Sequence, residues 1–391
     1  MAIQPPLGTK DLNPKEVQIN QLLTSKLADS YKQWGYEEVS PPNIDTLQTL
    51  MADGGIAEKD IVKLIADQPL GLRPEMTASI ARAATTRLAK RHRPLRLWAS
   101  GTVYKSKVDC NGKFNVEEKL QSGVELIGIP SITAEVELLY LLLECLNKLG
   151  INQKGQPTLL IGHKSLFNLI MRDIPNVYRA SLKKDLTDFD LIKIKSSKLD
   201  NDIKATILRA LRLRGNPNKV ISELELLYGE NILLNQLKRL FAVIEPIANK
   251  HGVNIQLDPT YLSDFDLYTG IIFQLICKNE FIPMVIARGG RYDKLISIFG
   301  DLETNESGAG FSISIDSIRE LDNIYHSGID SQKRILIAYS KKKTYEDAIS
   351  KQSYYHSQGL IAMVELEALD SKAEAYELIK KRGFDELEWL E

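Results

Sequence analysis

Residues 270–315 read GIIFQLICKNEFIPMVIARGGRYDKLISIFGDLETNESGAGFSISI. Three strand-length runs rich in Ile, Val and Phe stand out in this stretch: Gly270–Cys277, Pro283–Arg288 and Gly308–Ile315. Together with Ile255–Leu257 they follow one another with short links. A parallel sheet needs a helical crossover between strands, so this succession favours a largely antiparallel sheet. Upstream, Leu95–Val103 and Leu120–Ile127 read as two more strands flanking a polar segment, Lys105–Lys119, and Thr158–Ile161 reads as a short one.

The helices around this sheet are marked by period. Ile19, Leu22, Leu23, Leu27 and Tyr31 recur at three to four residues between Glu16 and Trp34, and Gly35 follows as a stop. Thr77–Lys90 has Ile80, Ala81, Ala84 and Leu88 on one face. Thr133 is placed to cap a helix from Ala134 to Leu149 that Gly150 ends. From about 166 to 250 the composition shifts to Leu, Lys and Asp, and several helices are expected, interrupted at Asn216-Pro217. Residues 322–332 read as a linker. Beyond it, strand, helix, strand, helix, strand over 333–391 makes a small α/β module.

The 391 residues carry 50 Lys+Arg against 51 Asp+Glu, so no global attraction to nucleic acid is expected. Cys110, Cys145 and Cys277 lack metal-ligand spacing and read as reduced thiols. The N-terminus has neither a basic nor an apolar leader region, and no apolar stretch spans a bilayer. A cytoplasmic protein without membrane contact is expected. Gly308-Ala309-Gly310 lacks the third Gly and the βαβ frame of a dinucleotide loop, and His163 reads as a turn or helix start rather than a base. No cofactor or metal is implied.

Six segments, taken in order, resemble the histidyl-tRNA synthetases of class II. They are Gly8-Thr9-Lys10-Asp11-Leu12; Gly35-Tyr36-Glu37-Glu38-Val39-Ser40-Pro41-Pro42, like the first class II motif; Leu72-Arg73-Pro74-Glu75-Met76-Thr77; Leu257-Asp258-Pro259 with Asp266-Leu267-Tyr268-Thr269-Gly270; Arg288-Gly289-Gly290-Arg291-Tyr292-Asp293; and Gly308-Ala309-Gly310-Phe311. The resemblance implies an α+β fold over residues 1–325, an antiparallel sheet flanked by helices with a helical insertion at about 166–250. It also implies a homodimer through the first motif.

The same resemblance locates where the chain departs. Activation of an amino acid by ATP builds negative charge on phosphate, and Arg suits that task because its fork binds oxygens bidentately and its charge never titrates. Where the family carries Phe-Arg-x-Glu, this chain has Tyr104-Lys105-Ser106-Lys107. Where the third motif ends in Gly-x-(Glu or Asp)-Arg, it has Ser314-Ile315-Asp316-Ser317. Where the family has Arg-Gly-Leu-Asp-Tyr-Tyr, it has Ser263-Asp264-Phe265-Asp266-Leu267-Tyr268. Lys105, Lys107, Ser263 and Ser317 thus mark a degenerate ATP site, and no catalytic residue is assigned.

Glu75, Thr77, Gln121, Glu125 and Tyr268 match positions that hold histidine in the family. Glu75 could equally cap the helix near Thr77, and Tyr268 could fill core. The tail is shorter than the family's anticodon-binding domain, and its ten Lys/Arg against eleven Asp/Glu make it a poor partner for tRNA.

A synthetase-like core without these cations resembles a paralogous family, the regulatory subunits of ATP phosphoribosyltransferase. That resemblance implies a hetero-oligomer with the short-form catalytic subunit, which opens histidine biosynthesis, and L-histidine as feedback effector. The alternatives are an active histidine–tRNA ligase and a synthetase-like tRNA sensor.

Overall fold

The computed structural model describes residues 4–52, 55–109, 112–151, 155–262, 267–278, 282–300, 306–321 and 333–391. The chain forms two compact units, Met1–Asn323 and Ile324–Glu391. Ser263, Asp264, Phe265 and Asp266, Cys110 and the linker at 322–332 fall outside the described residues.

The first unit is built on an eight-stranded sheet. In spatial order its strands are Glu37–Glu38, Leu95–Val108, Phe114–Ile127, Gly308–Ser314, Pro283–Arg291, Ile271–Lys278, Thr158–His163 and Asn254–Leu257. The five inner pairings are antiparallel, and only the two outermost are parallel. The α+β class II architecture with a largely antiparallel sheet is therefore what forms. Apolar side chains such as Leu97, Val124, Leu126, Phe273 and Ile313 are buried in it.

Several elements differ from their sequence reading. The strands flanking the polar segment Lys105–Lys119 reach further into it than expected: they run over Leu95–Val108 and Phe114–Ile127, 14 residues each, and pair along their whole length. Lys107 Nζ reaches Glu117 on the opposite strand at 2.8 Å, and Lys119 Nζ, two residues along the strand of Glu117, lies 2.9 Å from the same carboxylate. A cross-strand pair such as Lys107–Glu117 stabilises a solvated ribbon that hydropathy alone does not reveal. The helix from Thr77 stops at Thr85 rather than Lys90. There the Thr85 and Thr86 hydroxyls turn back onto the carbonyls of Ala81 and Arg82, competing with the backbone for them. Thr133 is the first residue of its helix, not its cap, and Gly150 ends that helix at φ 70°.

The N-terminal helix, Pro14–Gln33, starts in a capping box made by Asn13 and Glu16. It packs on the helix Thr133–Leu149. Six helices, from Lys164–Ile170 to Ile232–Lys250, fill the insertion, and Asn216-Pro217 opens one of them as N-cap and first residue. A core of its own, including Phe167, Leu182, Leu186, Ile194 and Ile207, holds the first four together.

The second unit is a three-stranded parallel sheet, Ile361–Val364, Arg334–Tyr339, Glu386–Leu390 in that order, with helices Tyr345–Ser357 and Lys372–Arg382. Ile335, Ile337 and Tyr339 cluster with Ala348, while Ala338 clusters with Ala375 and Trp389. Alternate residues of the middle strand thus pack against different helices, as the pleat of a strand requires. No helix among the described residues is long and apolar enough to cross a membrane.

Candidate functional site

Gly289 and Gly290 lie inside the strand Pro283–Arg291, not in a turn. Small residues are needed here because other side chains use the space. A Cβ on Gly290 would lie 2.6 Å from the Tyr268 ring, and one on Gly310 would overlap Glu125 Oε2. The glycines thus open the sheet surface to Tyr268 and Glu125.

Above them is a cavity of about 130 Å³ lined by all five residues of the amino-acid set, Glu75, Thr77, Gln121, Glu125 and Tyr268. Met76, Ile80 and Phe311 add apolar wall. Glu125 is 4% exposed, and burial pushes its carboxyl up to about 8 despite hydrogen bonds from the Thr77 and Tyr292 hydroxyls; the Glu75 charge adds to the rise. Burial likewise raises the Tyr268 phenol. A carboxyl of this kind is mostly protonated at neutral pH and gains a strong reason to ionise when a cation enters.

Glu75 caps a helix and lines the cavity at once. Its oxygens accept from the backbone N–H groups of Thr77 (2.5 Å) and Ala78 (2.8 Å), capping the helix Thr77–Thr85 while the side chain lines the cavity. Its neighbour Arg73 is structural. It is 3% exposed and donates to the carbonyls of Thr102 (2.9 Å) and Pro41 (2.7 Å), tying the first motif to the long hairpin.

A second cavity, of about 380 Å³, adjoins the first and shares Lys105, Gln121, Arg288 and Ser312 with it. Ser317 lines this one, and its hydroxyl donates to Ser314 Oγ at 2.9 Å. Lys107 lines neither cavity and sits in its ion pair with Glu117. Ser263 falls outside the described residues. Burial, together with the neighbouring Arg288 charge, lowers the pKa of Lys105. Arg319, two residues past Ser317, does not replace the missing arginine. It is held by Asn20 Oδ1 and Asp316, each at 2.6 Å, and borders a different cavity.

The rest of the Gly-Gly-Arg-Tyr-Asp segment is scaffold. Arg291 makes a bidentate pair with Glu135, both distances 2.7 Å, and also donates to the carbonyls of Ile129 and Ser131. Asp293 accepts from the Gly308 amide at 3.1 Å. His163 caps the helix Lys164–Ile170 by accepting from the Ser165 amide, and burial pulls its pKa down to about 4. Among the described residues no group of three or more His, Cys, Asp or Glu is placed to hold a metal.

The histidyl-tRNA synthetase family model matches residues 8–318. The chain is 56% identical to an ATP phosphoribosyltransferase regulatory subunit of Prochlorococcus marinus strain SARG over 390 residues, 100% of both chains. Against the protein of that name from Prochlorococcus marinus strain MIT 9211, identity is 48% with the same coverage. The chain belongs to the family of ATP phosphoribosyltransferase regulatory subunits. In fold, this regulatory subunit matches the crystal structure of an ATP phosphoribosyltransferase regulatory subunit/histidyl-tRNA synthetase from Bacillus halodurans, at TM-score 0.83 and 23% identity over 100% of this chain and 98% of that one. It also matches a histidyl-tRNA synthetase from Nostoc sp. PCC 7120 at TM-score 0.76 and 14% identity, covering 98% and 90%.

Two residues of the regulatory subunit's cavity escaped the sequence reading. Tyr292 bonds Glu125, and Arg288 stands where the two cavities meet. The signal was present for Arg288, a cation in an apolar strand directly before two glycines that open a cavity.

Proposed function

We propose that this regulatory subunit associates with the short-form catalytic subunit of ATP phosphoribosyltransferase, is required for its activity, and carries feedback inhibition by L-histidine. The observation that carries the reading is one cavity gathering Glu75, Thr77, Gln121, Glu125 and Tyr268, next to a second where the phosphate-handling positions hold Lys105 and Ser317. Carboxylates buried beside hydroxyls suit an ammonium and a protonatable ring. If histidine binds one conformation of the complex better, it shifts the population toward that state by its difference in affinity.

Reconstitution tests it. The chain is mixed with a short catalytic subunit, and the activity gained and its inhibition by histidine are followed. Truncating one charge-assisted partner costs roughly 10–150-fold in affinity. Glu75→Gln and Gln121→Ala are each expected to raise the inhibitory histidine concentration within that range. Inhibition unchanged in both variants would place the effector elsewhere.

The oligomer we propose contains a homodimer through the first motif, supported by Glu37–Glu38 lying at the sheet edge, since an edge strand offers unpaired backbone groups and two-fold closure is the usual arrangement. Sedimentation at micromolar concentration should give a dimer of the isolated chain; a monomer would count against it. Binding of tRNA is not part of this reading, on the charge balance of residues 333–391.

A further inference from the structure

We infer that Arg288 selects the effector by its carboxylate: the guanidinium, with Lys105 beside it, holds the α-carboxylate of an amino acid whose cationic groups lie toward Glu75 and Glu125. This rests on the reading that histidine occupies the cavity, and it names the determinant that makes the site one for amino acids rather than amines.

The argument starts from register. Glu125 pairs with Gly310 and Gly310 with Gly290, while Gly123 pairs with Ser312 and Ser312 with Arg288. These residues alternate by two along each strand and share one face of the sheet. Arg288 therefore stands one same-face row along and two strands across from Glu125, about 12 Å between their Cα positions at ~3.4 Å per residue and ~4.8 Å per strand, and both side chains line the same cavity. The cavity face thus runs from acidic at Glu125 and Glu75 to basic at Arg288 and Lys105.

The chemistry at the basic end is unusual. Among the described residues Arg288 forms no ion pair, and the nearest acid of the second cavity, Glu117, is engaged with Lys107 and Lys119. Two cations, Arg288 and Lys105, meet at the junction of the cavities. An anion between them relieves their repulsion, and a planar carboxylate matches the guanidinium fork.

Calorimetry on the full chain tests this with two probes, L-histidine and L-histidinol, which carries a hydroxymethyl group in place of the carboxylate. The unaltered chain is expected to prefer histidine by roughly 10–150-fold. Arg288→Gln should bring that ratio close to one by weakening histidine alone, and Arg288→Lys, which keeps the charge but loses the fork, should lie between. A ratio that survives in Arg288→Gln overturns the assignment while leaving histidine in the cavity. Equal affinity of the unaltered chain for both probes overturns it without any variant. If neither probe binds the unaltered chain, the assignment and the histidine reading fall together.

Discussion

Purified chain given histidine, ATP and labelled pyrophosphate is expected to show no exchange above a control without protein. Adenylate formation needs donors fixed where charge develops on phosphate, and removing one such donor costs about 100–1000-fold in rate. Here the positions carry Ser263 and Ser317, and the position of an ordering glutamate carries Lys107, which is engaged with Glu117. Arg319 is too firmly held by Asn20 and Asp316 to serve instead. Of the family's arginine positions only that of Lys105 keeps a cation, and burial lowers its pKa. The combined loss should leave the reaction undetectable, and Ser317→Arg alone should not revive it. Exchange that Lys105→Ala abolishes would overturn this and restore the ligase reading.

Replacing Arg291 with Leu should destabilise the first unit by about 3–5 kcal/mol, because it leaves Glu135 buried without its partner. The side chains of both residues are less than a tenth exposed. Arg291 also satisfies the carbonyls of Ile129 and Ser131, so the loss extends beyond the ion pair. The double variant Arg291→Leu, Glu135→Leu should recover part of the stability, since it removes the stranded charge but not the two orphaned carbonyls. Urea unfolding followed by circular dichroism reads both. A single variant within about 1 kcal/mol of the parent would show that the pair is not what anchors this strand. The change should also disturb the cavity lined by Glu125 and Tyr268, since the same strand presents Gly290 to Tyr268 and leads into Tyr292 beside Glu125.

These two results separate what neighbouring residues do. Within six consecutive residues, Arg288 faces the cavities, Gly289 and Gly290 clear space, Arg291 and Asp293 brace the strand, and Tyr292 bonds Glu125. A motif match treats all six alike. The pleat distinguishes them, because alternate side chains leave opposite faces of the sheet.

The sheet and its antiparallel character, the helical insertion and the α/β pattern of the tail were legible in the sequence, and the resemblance to the histidyl-tRNA synthetases named the five residues that line one cavity. The elements follow from local information, strand-length apolar runs in close succession and a period of 3.6, whereas the five residues follow from the family's motifs, which the chain carries in order. What only the tertiary structure decided depended on contacts between distant segments. Both ends of the polar stretch, residues 105–108 and 114–119, are strand because their backbones pair with each other and Lys107 meets Glu117 across the pair. Glu75 became both cap and cavity wall because its carboxylate reaches the amides of Thr77 and Ala78 without leaving the cavity. Arg288 and Arg291, three residues apart and chemically identical, parted because Glu135 and two carbonyls lie within reach of one and a cavity faces the other. Charge is written in the sequence, but whether a charge is spent on the scaffold or left facing a ligand is set by what the fold brings within about 3 Å of it.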